Sequence, residues 1–163
     1  MKARQVGVDP DASFAEGVGK LLAVRLEELD SFADAAQDPA EVDALHDMRI
    51  AAKRVRYVLE VAEPIEAEAK ARIRAAKRLQ DLLGEIHDCD ELMPLVKRHV
   101  KRLREEDVVA ATAGEPLPHR RKYRGLEALR AHTLARRAAL HAEFVEDWSK
   151  LRRRLDARAK AAA

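Results

Sequence analysis

The sequence contains little of what several protein classes require. Its single cysteine, Cys89, cannot form an internal disulfide, so a disulfide-stabilised scaffold is excluded and a small packed residue is expected there. Aromatic residues make up only 4% of the chain, too few for the stacking surfaces that bind single-stranded nucleic acid. Residues 1–6 lack the apolar core of a signal peptide, and no apolar run approaches the roughly 20 residues of a membrane span. We therefore expect a cytoplasmic protein without a membrane segment.

The composition that remains is typical of packed helices. Alanine, leucine, arginine and glutamate dominate, and all four are strong helix formers. The chain has 31 Lys and Arg against 29 Asp and Glu, which leaves a formal net charge of only +2. Binding to a polyanion must therefore come from how the charges are arranged. The length of 163 residues suits a single helical domain, with a core over about residues 12–157.

Helical spacing and helix-ending residues divide the chain into four segments. The first begins at a capping box of Ser13 and Glu16, or at Asp9-Pro10. The second begins at the start signal Asp38-Pro39-Ala40-Glu41 and stops before Pro64. The predicted bounds are about 12–36, 38–63, 65–105 and 123–157.

The middle of the third segment gives conflicting signals. Gly84 and Pro94 both weaken a helix, and the apolar spacing changes phase so that Val96 and Leu103 do not continue the earlier face. No segment shows the alternation of a β-strand. The sequence therefore predicts an all-α protein, an antiparallel four-helix bundle with long helices, whose third helix is kinked or broken near residues 84–94.

The most informative stretch is residues 45–57. Wound at about 100° per residue, it carries an apolar face and, beside it, a file of cations one helical turn apart. Like charges at this spacing repel, and no acid lies on the file before Glu60, so local pairing does not neutralise it. Arginine forks and lysine suit phosphate oxygens, so the pattern predicts a site for a long linear anion. This basic stripe consists of His46, Arg49, Lys53, Arg56 and Tyr57.

Two further segments carry cations beside their apolar residues. In the third segment Lys70, Arg74, Lys77 and Gly84 share one face, and a glycine there lets a ligand approach closely. In the fourth, Arg130 and Arg137 lie at the margin of the apolar stripe. Taken singly, each of these sets also fits a solvated helix face with local ion pairs, so that interpretation stays open.

Two His-Asp dipeptides, His46-Asp47 and His87-Asp88, raise a metal-dependent phosphohydrolase as one alternative. Adjacent helical residues point about 100° apart, so each dipeptide needs ligands from other helices, and the cations beside His46 would repel a metal ion. The serines lie in no nucleophile motif. A helical nucleic-acid-binding module is a second alternative, disfavoured by the few aromatic residues. We expect no enzymatic activity and no metal or other cofactor.

These residues together resemble the CHAD family, a helical domain named for its histidines. The resemblance is carried by Leu45–Arg49 through Lys53–Tyr57 and by Leu79–Asp88, and the last helix, Leu126–Leu151, also fits. It covers about residues 12–155. It implies helical bundles that bind inorganic polyphosphate through basic residues of their inner helices, without catalysis, and a place beside polyphosphate granules.

Carried over by position, the resemblance also implies which residues bind. The principal binders are His46, Arg49, Lys53 and Arg56, with Arg74 and Lys77 facing them. Lesser candidates are Arg54, Tyr57, Arg130 and Arg137. Members of the family typically hold two such repeats around one basic pore, whereas this chain has room for one. The resemblance therefore implies either an open groove or a twofold homodimer whose basic stripes face one channel.

Overall fold

A computed structural model describes residues 2–7 and 9–156 as an assembly of helices. No strand occurs within those ranges, which confirms the all-α prediction, and the packed helices are consistent with a helical bundle. The helices are α1 (Phe14–Asp30), α2 (Val42–Ala62), α3 (Ala69–Thr112) and α4 (Lys122–Leu155), with a 3₁₀ turn at Ala35–Gln37.

Helix α1 begins at the predicted capping box. The Ser13 hydroxyl accepts a hydrogen bond from the Glu16 backbone N–H at 3.3 Å, and the Glu16 carboxylate accepts one from the Ser13 N–H at 2.9 Å. The Ser13 hydroxyl also donates to that carboxylate, which lowers the pKa of Glu16. The helix ends at Asp30, earlier than the predicted Ala36, because the chain turns there and Ala36 is buried in the separate 3₁₀ turn.

Helix α2 begins later than its start signal predicts. The Asp38 carboxylate accepts from the Ala40 N–H at 2.8 Å, and the Asp38 carbonyl accepts from the Glu41 N–H at 3.1 Å. These bonds close a turn that precedes the helix, because a short carboxylate competes for local backbone donors. The helix itself starts at Val42 with Glu41 at its N-cap.

Helix α3 is continuous from Ala69 to Thr112, with Gly84 and Pro94 inside it, so of the predicted kink or break the break does not occur, and the kink stays a prediction. Proline removes one backbone donor, but the rest of the helix keeps its hydrogen bonds and packing. The change of apolar phase after Gly84 instead marks the point where α3 passes from one packed unit of the protein into another. The described residues group into two compact units, and along α3 the boundary falls directly after Gly84. The prediction of one domain over residues 1–163 stays a prediction.

The first unit, here called the bundle unit, contains the described residues up to Gly84 and those from His141 onward. Its core brings together side chains of all four helices because each helix turns an apolar face inward. Residues exposed by no more than 1% include Leu22 and Leu29 of α1, Met48 and Val55 of α2, Leu79 and Leu83 of α3, and Phe144 and Leu155 of α4.

Two charged side chains are also buried in the bundle unit, and each has partners. Glu28 accepts hydrogen bonds from the Arg25 guanidinium at 2.8 Å and from the Arg4 backbone N–H. Burial alone would raise the pKa of Glu28, but these bonds and the nearby arginine charges lower it overall. Arg72 donates from Nε to the Leu155 carbonyl at 2.8 Å, which satisfies the end of α4.

The second unit, here called the hairpin unit, comprises residues 85–140. Its α3 side buries every seventh residue (Cys89, Val96, Leu103 and Ala110), and its α4 side buries Thr133 and Leu140 at the same spacing. Seven-residue spacing is typical of two helices that coil around each other. Cys89 is therefore a packed residue, as predicted, and burial raises the pKa of its thiol.

A polar cluster closes the hairpin unit between α3 and α4. The buried Asp107 accepts hydrogen bonds from the His119 backbone N–H at 3.0 Å and from the Tyr123 hydroxyl at 2.7 Å. Burial and the bond to this carboxylate raise the pKa of Tyr123.

Within the described ranges, none of the helices is both long and apolar enough to cross a membrane.

Candidate functional site

Helix α2 presents the basic stripe beside the face that it buries. Leu45, Met48 and Val55 are exposed by 3% or less, so the apolar face of α2 points into the core of the bundle unit. The stripe lies along the edge of that face. His46, Arg49 and Arg56 are half-buried there, whereas Lys53 and Tyr57 are exposed.

Arg49 is the cation of the stripe that is least satisfied by the protein. Its Nε atom is buried and has no hydrogen-bond partner among the described residues. The side chain also forms no ion pair with any of them. Burying a donor without an acceptor costs roughly 1–3 kcal/mol. An acceptor arriving from outside the chain would recover that free energy.

Tyr57 holds two cations of the stripe against its ring. Lys53 Nζ lies 5.6 Å from the ring centroid, and the Arg56 guanidinium carbon lies 4.8 Å from it. An aromatic ring attracts cations to its face, so Tyr57 keeps two positive charges close together. Its hydroxyl has no hydrogen-bond partner among the described residues.

Arg56 connects the stripe to α3. Its Nε donates to the Gln80 side-chain oxygen at 3.0 Å, and its Nη1 pairs with Glu60 at 2.8 Å. Lys77 precedes Gln80 by about one helical turn and Gly84 follows it by about one turn, so these three residues share a face of α3. The bond therefore brings this 77–84 face beside the basic stripe. Sequence reasoning missed Gln80, because a neutral amide adds nothing to a charge pattern.

The 77–84 face is open where it approaches the stripe. Lys77 is exposed and forms no ion pair with any described residue, and the same holds for Arg74 one turn earlier. A methyl group placed on Gly84 would meet nothing within 4 Å. There is thus free space next to the α3 backbone at Gly84, on the face that also carries Lys77.

Other basic residues of the bundle unit already have carboxylate partners. Arg54 lies 3.9 Å from the buried Glu28 carboxylate, so part of its charge compensates a buried acid. Lys70 lies 3.8 Å from Glu63 at the exposed start of α3. Both positions differ in this respect from Arg49, which has no acid near its guanidinium among the described residues.

The structure places Arg130 and Arg137 in the hairpin unit, each beside a carboxylate. Arg130 pairs with Glu127 at 3.2 Å, and Arg137 forms two hydrogen bonds with Asp90. Their charges are balanced within the hairpin unit, which is the local ion pairing that the sequence left open for α4. Arg78 of α3 behaves alike, because it pairs with Glu143 and lies 3.8 Å from Asp147.

The two His-Asp dipeptides fall into different units, His46-Asp47 in the bundle unit and His87-Asp88 in the hairpin unit. Across residues 2–7 and 9–156, no group of three or more histidine, cysteine or acidic side chains is arranged to hold a metal ion. The hydrolase alternative stays a hypothesis, and an activity assay described below tests it.

Fold and site together define a helical bundle with a file of cations along one edge of α2, in which Arg49 and Lys53 form no ion pair with any described residue. A profile of the CHAD domain matches residues 3–97, which include α1, α2, the basic stripe and the 77–84 face. The match covers more than half of the sequence, and the chain belongs to the CHAD domain family. The predicted likeness of Leu126–Leu151 lies outside the matched residues. No curated protein and no solved structure matches the chain.

Proposed function

We propose that the protein binds inorganic polyphosphate, or a similar linear polyanion, without catalysis. The binding surface consists of the basic stripe of α2 and the 77–84 face of α3. One observation carries the proposal: Arg49, Lys53 and Lys77, which lie on these two faces, form no ion pair with any described residue. Membership of the CHAD family, which is associated with polyphosphate binding, supports it.

The spacing of the cations suits a chain of phosphates better than a single anion. Successive members of the stripe are about one helical turn, roughly 5.4 Å, apart along the axis. A linear polyanion can meet several of them at once, and each contact replaces an unfavourable repulsion between cations by an attraction. A single phosphate could compensate only one or two.

Nucleic acid is the alternative polyanion, and Tyr57 argues against its single-stranded forms. Tyr57 is the exposed aromatic residue of the stripe, but two cations lie over its ring within 5.6 Å. Stacking with a base needs that face of the ring. Competition of long polyphosphate against DNA and RNA for the protein should therefore favour polyphosphate, and stronger displacement by either nucleic acid would reverse the assignment.

Neutralising three cations of the site should abolish most of the binding. The test variant combines Arg49→Gln, Lys53→Gln and Lys77→Gln. It leaves out Arg56, whose bonds to Gln80 and Glu60 support the fold. We expect polyphosphate affinity, measured by calorimetry, to fall at least about a hundredfold, since a hydrogen bond to a charged group contributes about 1.5 kcal/mol or more.

The matched control removes the same charge from the exposed side of α4. It combines Lys150→Gln, Arg153→Gln and Arg154→Gln; Arg152 is unsuitable because it pairs with Asp30 through two hydrogen bonds, the longer at 2.7 Å. Affinity of the control should stay within about threefold of the parent protein if the site is local. Equal losses in both variants would show that diffuse charge, and not this site, binds the polyanion.

We also propose that the protein acts without hydrolysing its ligand, in the cytoplasm and beside polyphosphate granules. Incubation with polyphosphate and magnesium, manganese or zinc should release no phosphate. Release that disappears in the double variant His87→Ala and Asp88→Ala would establish the phosphohydrolase alternative and refute this part of the proposal.

A further inference from the structure

The hairpin unit carries a large groove along one side of its two helices. The groove has a volume of about 1040 Å³ and lies between the second half of α3 and the first half of α4. Its floor is apolar and consists of Met93, Val96, Val100, Val108 and Leu126. We call it the hairpin groove. It is open to solvent, since Val108 at its floor is 65% exposed.

The groove exists because two helices can bury only one narrow face between them. The seven-residue spacing of Cys89, Val96 and Leu103 directs those side chains toward α4. Residues on the adjoining flank, such as Val100 and Val108, then point past α4 and lack a third helix to pack against. An uncovered apolar strip of this length marks an interaction surface.

We propose that the hairpin groove is covered by the same groove of a second copy of the protein. The two hairpins would then form a four-helix bundle about a twofold axis, with the groove residues as its core. Residues 90–112 extend about 35 Å, and two helices are about 20 Å wide, so each copy would bury roughly 700 Å². The total of about 1,400 Å² lies within the range of stable protein interfaces.

The charges around the groove favour a copy of the same chain over a partner of one sign. The rim carries four cations and three acids: Lys97, Lys101, Arg104 and Arg130 with Asp90, Glu105 and Glu127. A strongly acidic or strongly basic partner would bring like charges together along part of this rim. A second copy presents the same mixture, in which the acids are paired within their own chain, so it brings no uniform repulsion to the rim.

This contact is independent of the proposed polyphosphate site. It uses residues of the hairpin unit, whereas the basic stripe and the 77–84 face belong to the bundle unit. The dimer should therefore form without polyphosphate. A dimer built by apposing two basic stripes would behave in the opposite way, because only a bound polyanion would offset the repulsion between them.

Sedimentation velocity of the full chain without polyphosphate tests the proposal. The parent protein should pass from monomer to dimer as its concentration rises. The variant Val108→Glu, which would bury a charge in the interface, should raise the dissociation constant at least about tenfold. The control is Val109→Glu, one residue along the same helix, 70% exposed and outside the groove, and it should change the constant by less than about twofold.

A second measurement covers the case in which a glutamate disturbs the helix. Val100→Cys, introduced together with Cys89→Ser, should form a disulfide between two chains on mild oxidation, whereas Val109→Cys in the same background should not. A parent protein that stays monomeric without polyphosphate, equal effects of the two glutamates, or equal cross-linking of the two cysteines would each overturn the proposal.

Discussion

At position 84 the chain carries a glycine that its own backbone does not need. Gly84 lies within the continuous helix α3, and an added methyl group would meet nothing within 4 Å. Glycine inside a helix is less stable than alanine because it loses more conformational freedom on folding. The space beside Gly84 can therefore take side chains of increasing size, which makes this position a probe of whether a ligand passes there.

Gly84→Ala should therefore stabilise the protein by about 0.5–1 kcal/mol while leaving polyphosphate binding unchanged. Urea unfolding and calorimetry measure the two quantities. Gly84→Leu is the matched larger variant: its side chain would occupy the space beside the stripe and should weaken binding without adding charge. A Leu variant that binds as tightly as the alanine variant would show that the ligand does not pass there.

The sequence predicts the role of a residue when that role depends on charge and helical spacing. It does not predict contacts between residues that lie far apart in the chain. The alignment of His46, Arg49 and Lys53 on one face follows from helical periodicity and is visible in the sequence. The pairing of Arg137 with Asp90 joins residues 47 positions apart and required the fold. Only the fold distinguishes the uncompensated Arg49 from the paired Arg137.

At the scale of the helix, local signals located the start of α1 well, placed the start of α2 too early and predicted the continuity of α3 poorly. The Ser13–Glu16 capping box lies within one turn, so its bonds form wherever the chain makes that turn. Pro94 and Gly84 weaken α3 locally, but the packing of Leu83 and Ile86, both exposed by 1% or less, holds the helix across that region. The seven-residue spacing of Cys89, Val96 and Leu103 was the available sign that the phase change leads into a coiled pair of helices.

Glu28 joins α1 to the segment before it and to α2, and its charge should make this junction sensitive to acid. Hydrogen bonds lower the pKa of Glu28 below its ordinary value of 4.5, so the carboxylate adds stability above that pH and loses it as the pH falls through the folded-state pKa. Glu28→Gln should cost about 1–3 kcal/mol near neutral pH and progressively less below pH 4.5.

Urea unfolding of both proteins across this pH range measures the difference. Glu27→Gln is the control, because Glu27 is exposed and lies 3.8 Å from Arg4 in a solvated pair. A penalty for Glu28→Gln that stays constant from neutral pH to below pH 4.5 would show that its shape, and not its charge, supports the junction.

At the scale of the whole molecule, a net charge of +2 offers little general attraction to polyanions. The proposed affinity instead arises from a few cations gathered on one edge of the bundle unit. Such binding releases condensed counterions, so it should weaken steeply as salt is added. Affinity for polyphosphate should fall about tenfold or more between low and moderate salt. A flat response in calorimetry would contradict an electrostatic site.

The discontinuity of the bundle unit along the chain has a consequence for how the protein can be divided. The residues that match the CHAD profile end at 97, in the interior of α3, and exclude all of α4. Yet Phe144 and Leu155, both 0% exposed, complete the bundle core from the far end of the chain, and Arg72 binds the carbonyl of Leu155. We therefore expect the matched residues 3–97 not to fold by themselves, because they lack these core side chains. The residues that identify the family and the residues that form the folding unit therefore have different boundaries, and the difference between them lies in α4.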